Sequence, residues 1–214
     1  MIDLRFEIIE KYIKGKEVLD IGCVGDPKDL FSQEWSWFHD KIRGAAKQVV
    51  GIDVNKELIA ELKDKGYNIH YGNAEDPNLS LGRKFDVVVA GELIEHLSNQ
   101  GIFLENVKKH LRENGILIIS TPNAREIAYP LKRLIKGSAN EEMCIPAVRS
   151  HLGYHTLTTL TNLLRRHGFS VIEYKYVNLE LTTFGGRVLN FITKFIKDFS
   201  NTIVVVAQLA KIQK

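Results

Sequence analysis

The sequence predicts an α/β protein built on a seven-stranded, mainly parallel sheet with helices on both faces. Strand-like apolar runs alternate with segments whose apolar residues recur every three or four positions, as amphipathic helices require. The apolar runs at 85–90 and 115–120 are continuous, which is typical of strands buried on both faces. Because right-handed crossovers between parallel strands place helices on either side of the sheet, the alternation predicts a doubly covered sheet.

In the first half of the chain, helical spacing of apolar residues predicts helices over 2–13, 31–42 and 55–66. Asn55 is suited to cap the third of these helices, and Gly66 is suited to end it. Short apolar runs between the helices predict the first three strands, over 16–21, 48–52 and 68–71.

In the second half of the chain, the runs at 85–90 and 115–120 predict the fourth and fifth strands. Ser98 or Asn99 can cap the helix between them, and Asn114-Gly115 is expected to end that helix. The remaining predicted elements are helices over 157–167 and 188–199 and strands over 171–177 and 203–209.

Length and composition indicate one globular domain over residues 1–214, with insertions around 124–150 and 178–200. Hydrophobic residues make up 44% of the 214-residue chain and charged residues 26%, which is ordinary for a globular protein with its own core. A net charge of +3 is too small to indicate a nucleic-acid-binding protein. Two cysteines, Cys23 and Cys144, do not amount to a disulfide framework in a chain of this size.

The protein is expected to be cytoplasmic. Its first 16 residues carry too many charges for a signal peptide, and no apolar run approaches the ~20 residues that span a bilayer. The apolar stripe over 188–199 is flanked by basic residues, so it suits a core face or the interface of a homodimer, and less well a membrane surface.

Candidate binding residues lie where the first two strands end, since ligands of open α/β sheets bind beyond the carboxyl ends of the strands. Asp20 precedes Gly22 and Gly25, which allow a tight turn and a close approach to a ligand. Val24 breaks the glycine pattern of a dinucleotide-binding turn, so a purely structural turn fits these residues equally well. Asp53 ends the second strand and can either accept hydrogen bonds from ribose hydroxyls or cap the following helix.

An ordered set of five stretches, each at a predicted strand end, resembles one enzyme family: VLDIGCVGD, VVGIDVN, YGNAED, FDVVVAGELIEHL and LRENGILIISTPN. They are similar to the class I S-adenosylmethionine-dependent methyltransferases, and most to the type 11/12 group that includes the ubiquinone-biosynthesis O-methyltransferases. The resemblance covers residues 16–177. It implies a Rossmann-like seven-stranded sheet whose last strand is antiparallel, and methyl transfer to an oxygen of a small-molecule or sugar-like acceptor.

The same resemblance implies S-adenosylmethionine as the cofactor and assigns residues to it. Asp20 and the following turn would hold the methionine part, and Asp53 the ribose, with Val54 beside the adenine. Asn73 stands where the family usually has an aspartate facing the adenine, and Val24 is a second departure from the family pattern. The full set of implied cofactor residues is Asp20, Gly22, Cys23, Gly25, Asp53, Val54, Asn73, Ala74, Glu75, Gly91 and Glu92.

A group of acids and histidines is the candidate for catalysis. Glu92, Glu95 and His96 follow the fourth strand, and on a helical turn Glu92 would share a face with the other two. Carboxylates and imidazoles act as general bases or bind divalent metals. We expect His96 or His151 to deprotonate the acceptor hydroxyl beside Glu92, but a pocket-lining Glu92 and a locally bonded His96 fit the pattern equally well.

Three other functions stay open at the level of sequence. Glu92, Glu95, His96 and His151 also match the metal-binding pattern of small-RNA 3′-terminal 2′-O-methyltransferases, although the metal-free enzymes are commoner and are favoured. Basic residues within 124–150 suit RNA, another anionic substrate or a solvated face. An NAD-dependent oxidoreductase and a non-catalytic S-adenosylmethionine-binding module share the strand-and-turn pattern.

Overall fold

The computed structural model describes residues 4–25, 37–126, 151–177 and 196–210. The segments expected to be insertions, 124–150 and 178–200, lie largely outside these residues, so the single domain stays a prediction. Most of the apolar stripe over 188–199 lies outside as well, and the predicted homodimer is untested for that reason. Of this stripe the described part includes Lys197–Phe199, which forms a short 3₁₀ turn.

The described residues form five α-helices, seven β-strands and two 3₁₀ turns, the first of which is Ile94–His96. The helices are α1 (Leu4–Ile13), α2 (Phe38–Ala45), α3 (Lys56–Asp64), α4 (Gln100–His110) and α5 (Leu157–Arg166). The strands are β1 (Glu17–Ile21), β2 (Gln48–Asp53), β3 (Ile69–Tyr71), β4 (Phe85–Gly91), β5 (Leu111–Pro122), β6 (Phe169–Val177) and β7 (Thr202–Leu209).

Within the described part of the chain, the seven strands form one sheet in the order β3-β2-β1-β4-β5-β7-β6. Strands β1 to β5 pair in parallel, and β7 lies antiparallel between β5 and β6. The predicted fold class, including the antiparallel last strand, is confirmed. Chain order reverses between β1 and β4, so the carboxyl ends of these two strands flank the crevice in which ligands of such sheets bind.

Alternate residues of the central strands enter separate cores on the two faces of the sheet. Leu19 and Val88 pack on the face covered by α4 and α5, whereas Val18 and Val87 pack on the face covered by α1 and α2. All four side chains are buried. Burial of a leucine or valine side chain stabilises the fold by ~1.5–3 kcal/mol, so both faces contribute and the strand sequences are continuously apolar.

The predicted end of α4 at Asn114-Gly115 is wrong. The helix ends at His110, and β5 begins at the next residue. The pairing of β4 with β5 shifts register here, because Phe85 pairs with Leu111 but Val87 pairs with Ile116. Asn114 lies inside the irregular section at φ +61°, a left-handed conformation that asparagine tolerates better than most residues. The Asn-Gly pair therefore marks a distortion within a strand and not the end of a helix.

The predicted helix caps are confirmed. Asn55 Oδ1 accepts the N–H of Leu58 at 3.1 Å, and Asn99 Oδ1, not Ser98, accepts the N–H of Ile102 at 3.0 Å. These bonds satisfy backbone donors that the first turn of a helix leaves unpaired. In the part of the chain that the structure describes, no helix combines the length and the apolar character that crossing a membrane requires.

Candidate active site

The turn after β1 is shaped by two glycines with positive φ. Gly22 lies at φ +74° and Gly25 at φ +65°, conformations that strongly favour glycine. Gly22 also donates its N–H to the carbonyl of Ile52 on β2 at 2.9 Å. A Cβ at Gly22 would lie 2.9 Å from Leu93 Cδ1, so the turn packs directly against the segment that follows β4. The predicted cofactor turn and the predicted catalytic segment are therefore neighbours.

Asp53 at the end of β2 holds this turn through its carboxylate. One oxygen, Oδ2, accepts the N–H of Val24 at 3.0 Å, and Oδ1 accepts the N–H of Asn55 at 3.0 Å. The cap of α3 comes from Asn55, so the helix-cap alternative for Asp53 does not apply. A carboxylate offers about four acceptor positions, which leaves room for ribose hydroxyls. Val54, beside it, is 58% exposed and presents apolar surface at this edge of the sheet.

Asp20 lies beneath the turn rather than on the surface. Its side chain is buried, and its Oδ2 lies 2.8 Å from Nδ1 of His39, which is buried as well. Burial raises the pKa of Asp20, and the hydrogen bond from His39 opposes this rise. Any influence of Asp20 on a ligand is therefore electrostatic or acts through the turn.

The loop after β3 is fixed by side-chain amides. Asn73 Oδ1 accepts the N–H of Glu75 at 2.9 Å, and Asn106 on α4 donates to the carbonyl of Ala74 at 2.9 Å. The Glu75 carboxylate accepts the N–H of Asn99, the residue that caps α4. These contacts hold the implied adenine-binding loop against α4. The assignment of its residues to the cofactor stays a prediction.

Glu92 departs from the geometry that the sequence predicts. It lies at φ +50°, before the 3₁₀ turn Ile94–His96, and not on a helical turn with Glu95 and His96. Its N–H donates to the carbonyl of Ser120 on β5 at 2.9 Å. Its carboxylate forms an ion pair with Arg5 of α1 at 3.5 Å. Since a non-glycine residue rarely adopts positive φ, the contacts to β5 and α1 hold Glu92 in a strained position at the site.

Glu95 is the most buried acid beside this crevice, at 1% exposure. Its Oε2 accepts the hydroxyl of Thr121 at 3.0 Å, whereas Oε1 is buried and has no hydrogen-bond partner among the described residues. Its backbone carbonyl accepts the N–H groups of Leu152 and Gly153, which ties the segment after residue 150 to the 3₁₀ turn Ile94–His96. Burial, together with the charge of Glu92, raises the pKa of Glu95 to about 8.

Two histidines complete the group. The ring centroids of His96 and His151 lie 4.7 Å apart, edge to face, and the ring centroid of Tyr154 lies 5.7 Å from that of His151. Burial, and then His96, lowers the pKa of His151, so its ring is neutral at pH 7. One ligand atom each from Glu95, His96 and His151 lie within 4.8 Å of one another. We call these three residues the acid–histidine cluster.

Three residues at the site have no role that the sequence predicts: Arg5, His39 and Thr121. Each contacts a predicted site acid or its neighbour from a distant part of the chain, so neither spacing nor motif reveals it. Trp37 packs against the rings of His39 and Tyr67, and its Nε1–H donates to the carbonyl of Cys23 in the turn.

Comparison with known proteins agrees with this arrangement. A family model described as a methyltransferase domain matches residues 1–174. The ubiquinone biosynthesis O-methyltransferase of Pelagibacter ubique is 28% identical over 211 residues, which cover 92% of this chain and 81% of that protein. The enzyme of the same name from Rickettsia conorii is 31% identical over 134 residues, 61% of this chain but only 43% of its own length.

A solved structure shows the same fold. The S-adenosylmethionine-dependent methyltransferase from Archaeoglobus fulgidus superposes with a TM-score of 0.63 at 17% sequence identity, covering 95% of this chain and 91% of that one. The family model spans most of the chain, including β1 to β5, the turn, Asp53 and the acid–histidine cluster. The resemblance predicted from sequence is thus confirmed, and this chain belongs to the methyltransferase-domain family.

Proposed function

We propose that the chain is an S-adenosylmethionine-dependent methyltransferase that transfers the methyl group to an oxygen of a small-molecule acceptor. The observation that carries the proposal is the packing of Gly22 against Leu93, which brings the predicted cofactor turn beside the segment that holds the acid–histidine cluster. Methyl transfer needs alignment of donor and acceptor rather than a covalent nucleophile, so two adjoining subsites suffice. The names of the O-methyltransferase relatives support oxygen as the acceptor atom.

The residues at the strand ends fit the cofactor. The open turn with Gly22 and Gly25 suits the methionine part, the Asp53 carboxylate suits ribose hydroxyls, and exposed Val54 offers apolar surface to a base. When bound, the cofactor would supply a methyl group on a sulfonium sulfur, and this sulfur is the leaving group when the acceptor oxygen bonds to the methyl carbon. The chain itself must position the acceptor and take up its proton.

The acid–histidine cluster is suited to that proton transfer. With a pKa of about 8, Glu95 is mostly protonated at pH 7 and is a poor proton acceptor. His151 is neutral at that pH, and its Nδ1 is buried without a hydrogen-bond partner among the described residues. An imidazole nitrogen in this state accepts a proton from a hydroxyl. We therefore assign the role of general base to His151, with His96 as the neighbouring alternative.

Calorimetric titration tests the cofactor assignment. The purified protein is expected to bind S-adenosylhomocysteine and not NAD, because the turn lacks the dinucleotide pattern. Asp53→Ala should weaken binding at least tenfold, since it removes the ribose acceptor and the bond to the Val24 N–H. Asp64→Ala, at an exposed acid on α3, is the matched control and should bind as the wild type does. Binding of NAD alone, or of neither ligand, would contradict the proposal.

Metal-assisted methyl transfer is a second candidate function, favoured by the geometry of the acid–histidine cluster. One carboxylate and two imidazoles form a donor set that divalent ions accept. Two atoms bound to one ion at about 2.1 Å lie at most ~4.2 Å apart, so ligand atoms within 4.8 Å need only a small adjustment. Glu95 Oε1, which is buried and has no hydrogen-bond partner in the described ranges, is consistent with a ligand at this position.

Titration of the metal-free protein with Mn²⁺ or Mg²⁺ distinguishes the two candidates. If the cluster binds metal, His151→Ala should abolish the binding isotherm, and chelator should remove activity that Mn²⁺ or Mg²⁺ restores. His167→Ala, at the histidine that directly follows α5, should bind metal as the wild type does. Full activity in chelator, with no metal isotherm, would leave His151 as a metal-free base.

A further inference from the structure

The short segment before and at the start of α2 holds the cofactor turn at two points. Trp37 Nε1–H donates to the carbonyl of Cys23 at 2.8 Å, and His39 Nδ1 lies 2.8 Å from Oδ2 of Asp20. These contacts join residues 14 and 19 positions apart in the sequence. Cys23 is in the turn itself and Asp20 is in the strand that leads into it. Segment 37–39 therefore sets both the path of the turn and the state of the acid below it.

Packing fixes the position of the His39 ring. Its ring stacks on Trp37 with a centroid distance of 4.9 Å, and Trp37 in turn contacts Tyr67 at 5.0 Å. Gly51 of β2 also lies against His39, because a Cβ at this position would lie 3.0 Å from His39 Cε1 and 2.6 Å from Cys23 Sγ. The ring, the thiol and β2 thus interlock, and the imidazole cannot turn away from Asp20 without disturbing the turn.

The charge of Asp20 depends on its hydrogen bond with His39. Asp20 is 3% exposed, so its anion lacks water and depends on a donor within the protein. Burial and the charge of Asp53 both raise the pKa of Asp20, whereas His39 lowers it. Burial raises the pKa of Cys23 far above its usual value and also raises that of Tyr67, so both stay neutral. Without His39, the pKa of Asp20 would rise further, because burial and the charge of Asp53 would act unopposed.

We propose that His39 is a positioning residue for cofactor binding: by donating from Nδ1 it keeps Asp20 charged beneath the turn that receives the amino-acid part of the cofactor. That part of S-adenosylmethionine carries an ammonium group next to the sulfonium, both cationic, and a buried carboxylate nearby stabilises them. The inference rests on the proposed function. It predicts a dependence on His39 that is specific to ligands carrying the amino-acid group.

Two amide substitutions of His39 distinguish loss of the Nδ1 donor from loss of the imidazole ring. The amide nitrogen of His39→Asn occupies about the position of Nδ1, whereas that of His39→Gln reaches the position of Nε2. Calorimetry should compare S-adenosylmethionine, S-adenosylhomocysteine and methylthioadenosine, which lacks the amino-acid group. His39→Gln is expected to lose about tenfold in affinity for the first two ligands and less than threefold for methylthioadenosine. His39→Asn should recover most of the loss.

Asp20→Asn provides an independent route to the same answer. It should reproduce the selective loss of affinity for ligands with the amino-acid group. Combining it with His39→Gln should cause no further loss of affinity, because each substitution removes the same charge, that of Asp20. His167→Gln is the matched control, since His167 Nδ1 also lies near a carboxylate, that of Glu105 at 3.0 Å, but remote from the turn in an exposed pair.

The outcomes are distinct. If the wild type binds none of the three ligands, the proposed function fails. If it binds them but His39→Gln and Asp20→Asn weaken all three equally, or none, His39 merely supports the fold and the inference is wrong. If His39→Gln does not fold, Asp20→Asn decides: a loss confined to ligands with the amino-acid group supports the inference, and an equal loss overturns it.

Discussion

The carboxyl group of Glu95 lies out of water, with the Thr121 hydroxyl on one oxygen and no partner among the described residues on the other. The carboxylate of Glu92 nearby is paired with Arg5 and keeps its own counter-charge. Burial, together with the charge of Glu92, therefore favours the protonated form of Glu95. At this site Glu95 is the group that retains its proton at pH 7.

This raised pKa has a consequence for stability. In the unfolded chain Glu95 ionises near pH 4.3, whereas in the folded protein it does so at about 8. Folding therefore binds a proton between these values, and stability falls as pH rises through this window. We expect the wild type to lose on the order of 1 kcal/mol per pH unit relative to Glu95→Gln between pH 5.5 and 7.5.

Urea unfolding of the metal-free protein at pH 5.5, 6.5 and 7.5 measures this difference. Glu57→Gln, at an exposed acid on α3, is the control and should follow the wild type at every pH. Parallel curves for the wild type and Glu95→Gln would mean that Glu95 is ionised in the folded state. The neutral-acid assignment would then be wrong.

At the level of single residues, the sequence predicted the positions of those candidate residues that stand at the ends of predicted strands. Gly22, Gly25 and Asp53 are found at strand ends, where the alternation of elements placed them. His39 and Arg5 were not predicted, because their partners Asp20 and Glu92 are 19 and 87 positions away. Only the packing of α1 and α2 on the sheet brings them together, and no local pattern records that packing.

At the level of elements, the strongest predictions came from patterns that depend on burial. The continuous apolar runs of β4 and β5 correspond to strands buried on both faces, and side-chain caps at Asn55 and Asn99 begin the helices as expected. Predictions were wrong where one local sequence pattern is compatible with two structures. Asn114-Gly115 is typical of a helix end, but here it belongs to a distorted strand, since β5 pairs with β4 from Leu111 onward.

The segment after β4 illustrates the same ambiguity. Its acids and histidine suggested a helical turn, but only Ile94–His96 is helical, as a single 3₁₀ turn, and Glu92 precedes it at positive φ. The bonds from Glu92 to β5 impose this geometry from outside the segment. The grouping of acid and histidines was therefore predicted better than the conformation of the segment, because residue types are local whereas the strained backbone is set by a neighbouring strand.

At the scale of the whole molecule, the sheet order determines which parts open independently. Strands β1, β4, β5 and β7 are each paired on both sides. Most of their residues are buried. Strands β3 and β6 are the edges among the described strands. β3 spans only three residues, and β6 exposes Ile172 and Tyr174 by about half. Local opening should therefore begin at the two edges, whereas the centre opens only with global unfolding.

Native-state hydrogen exchange followed by mass spectrometry tests this order. Peptides covering 87–90, 117–119 and 204–206 should exchange only as fast as global unfolding permits, so their rates should follow the urea-measured stability. Peptides covering 69–71 and 172–175 should exchange earlier and with little dependence on low urea concentrations, as local fluctuations do. If the edge peptides exchanged together with the central ones, the sheet would open as one unit. The turn after β1, the acid–histidine cluster and α2 would then share a single stability, and His39 and Glu95 substitutions would affect every strand equally.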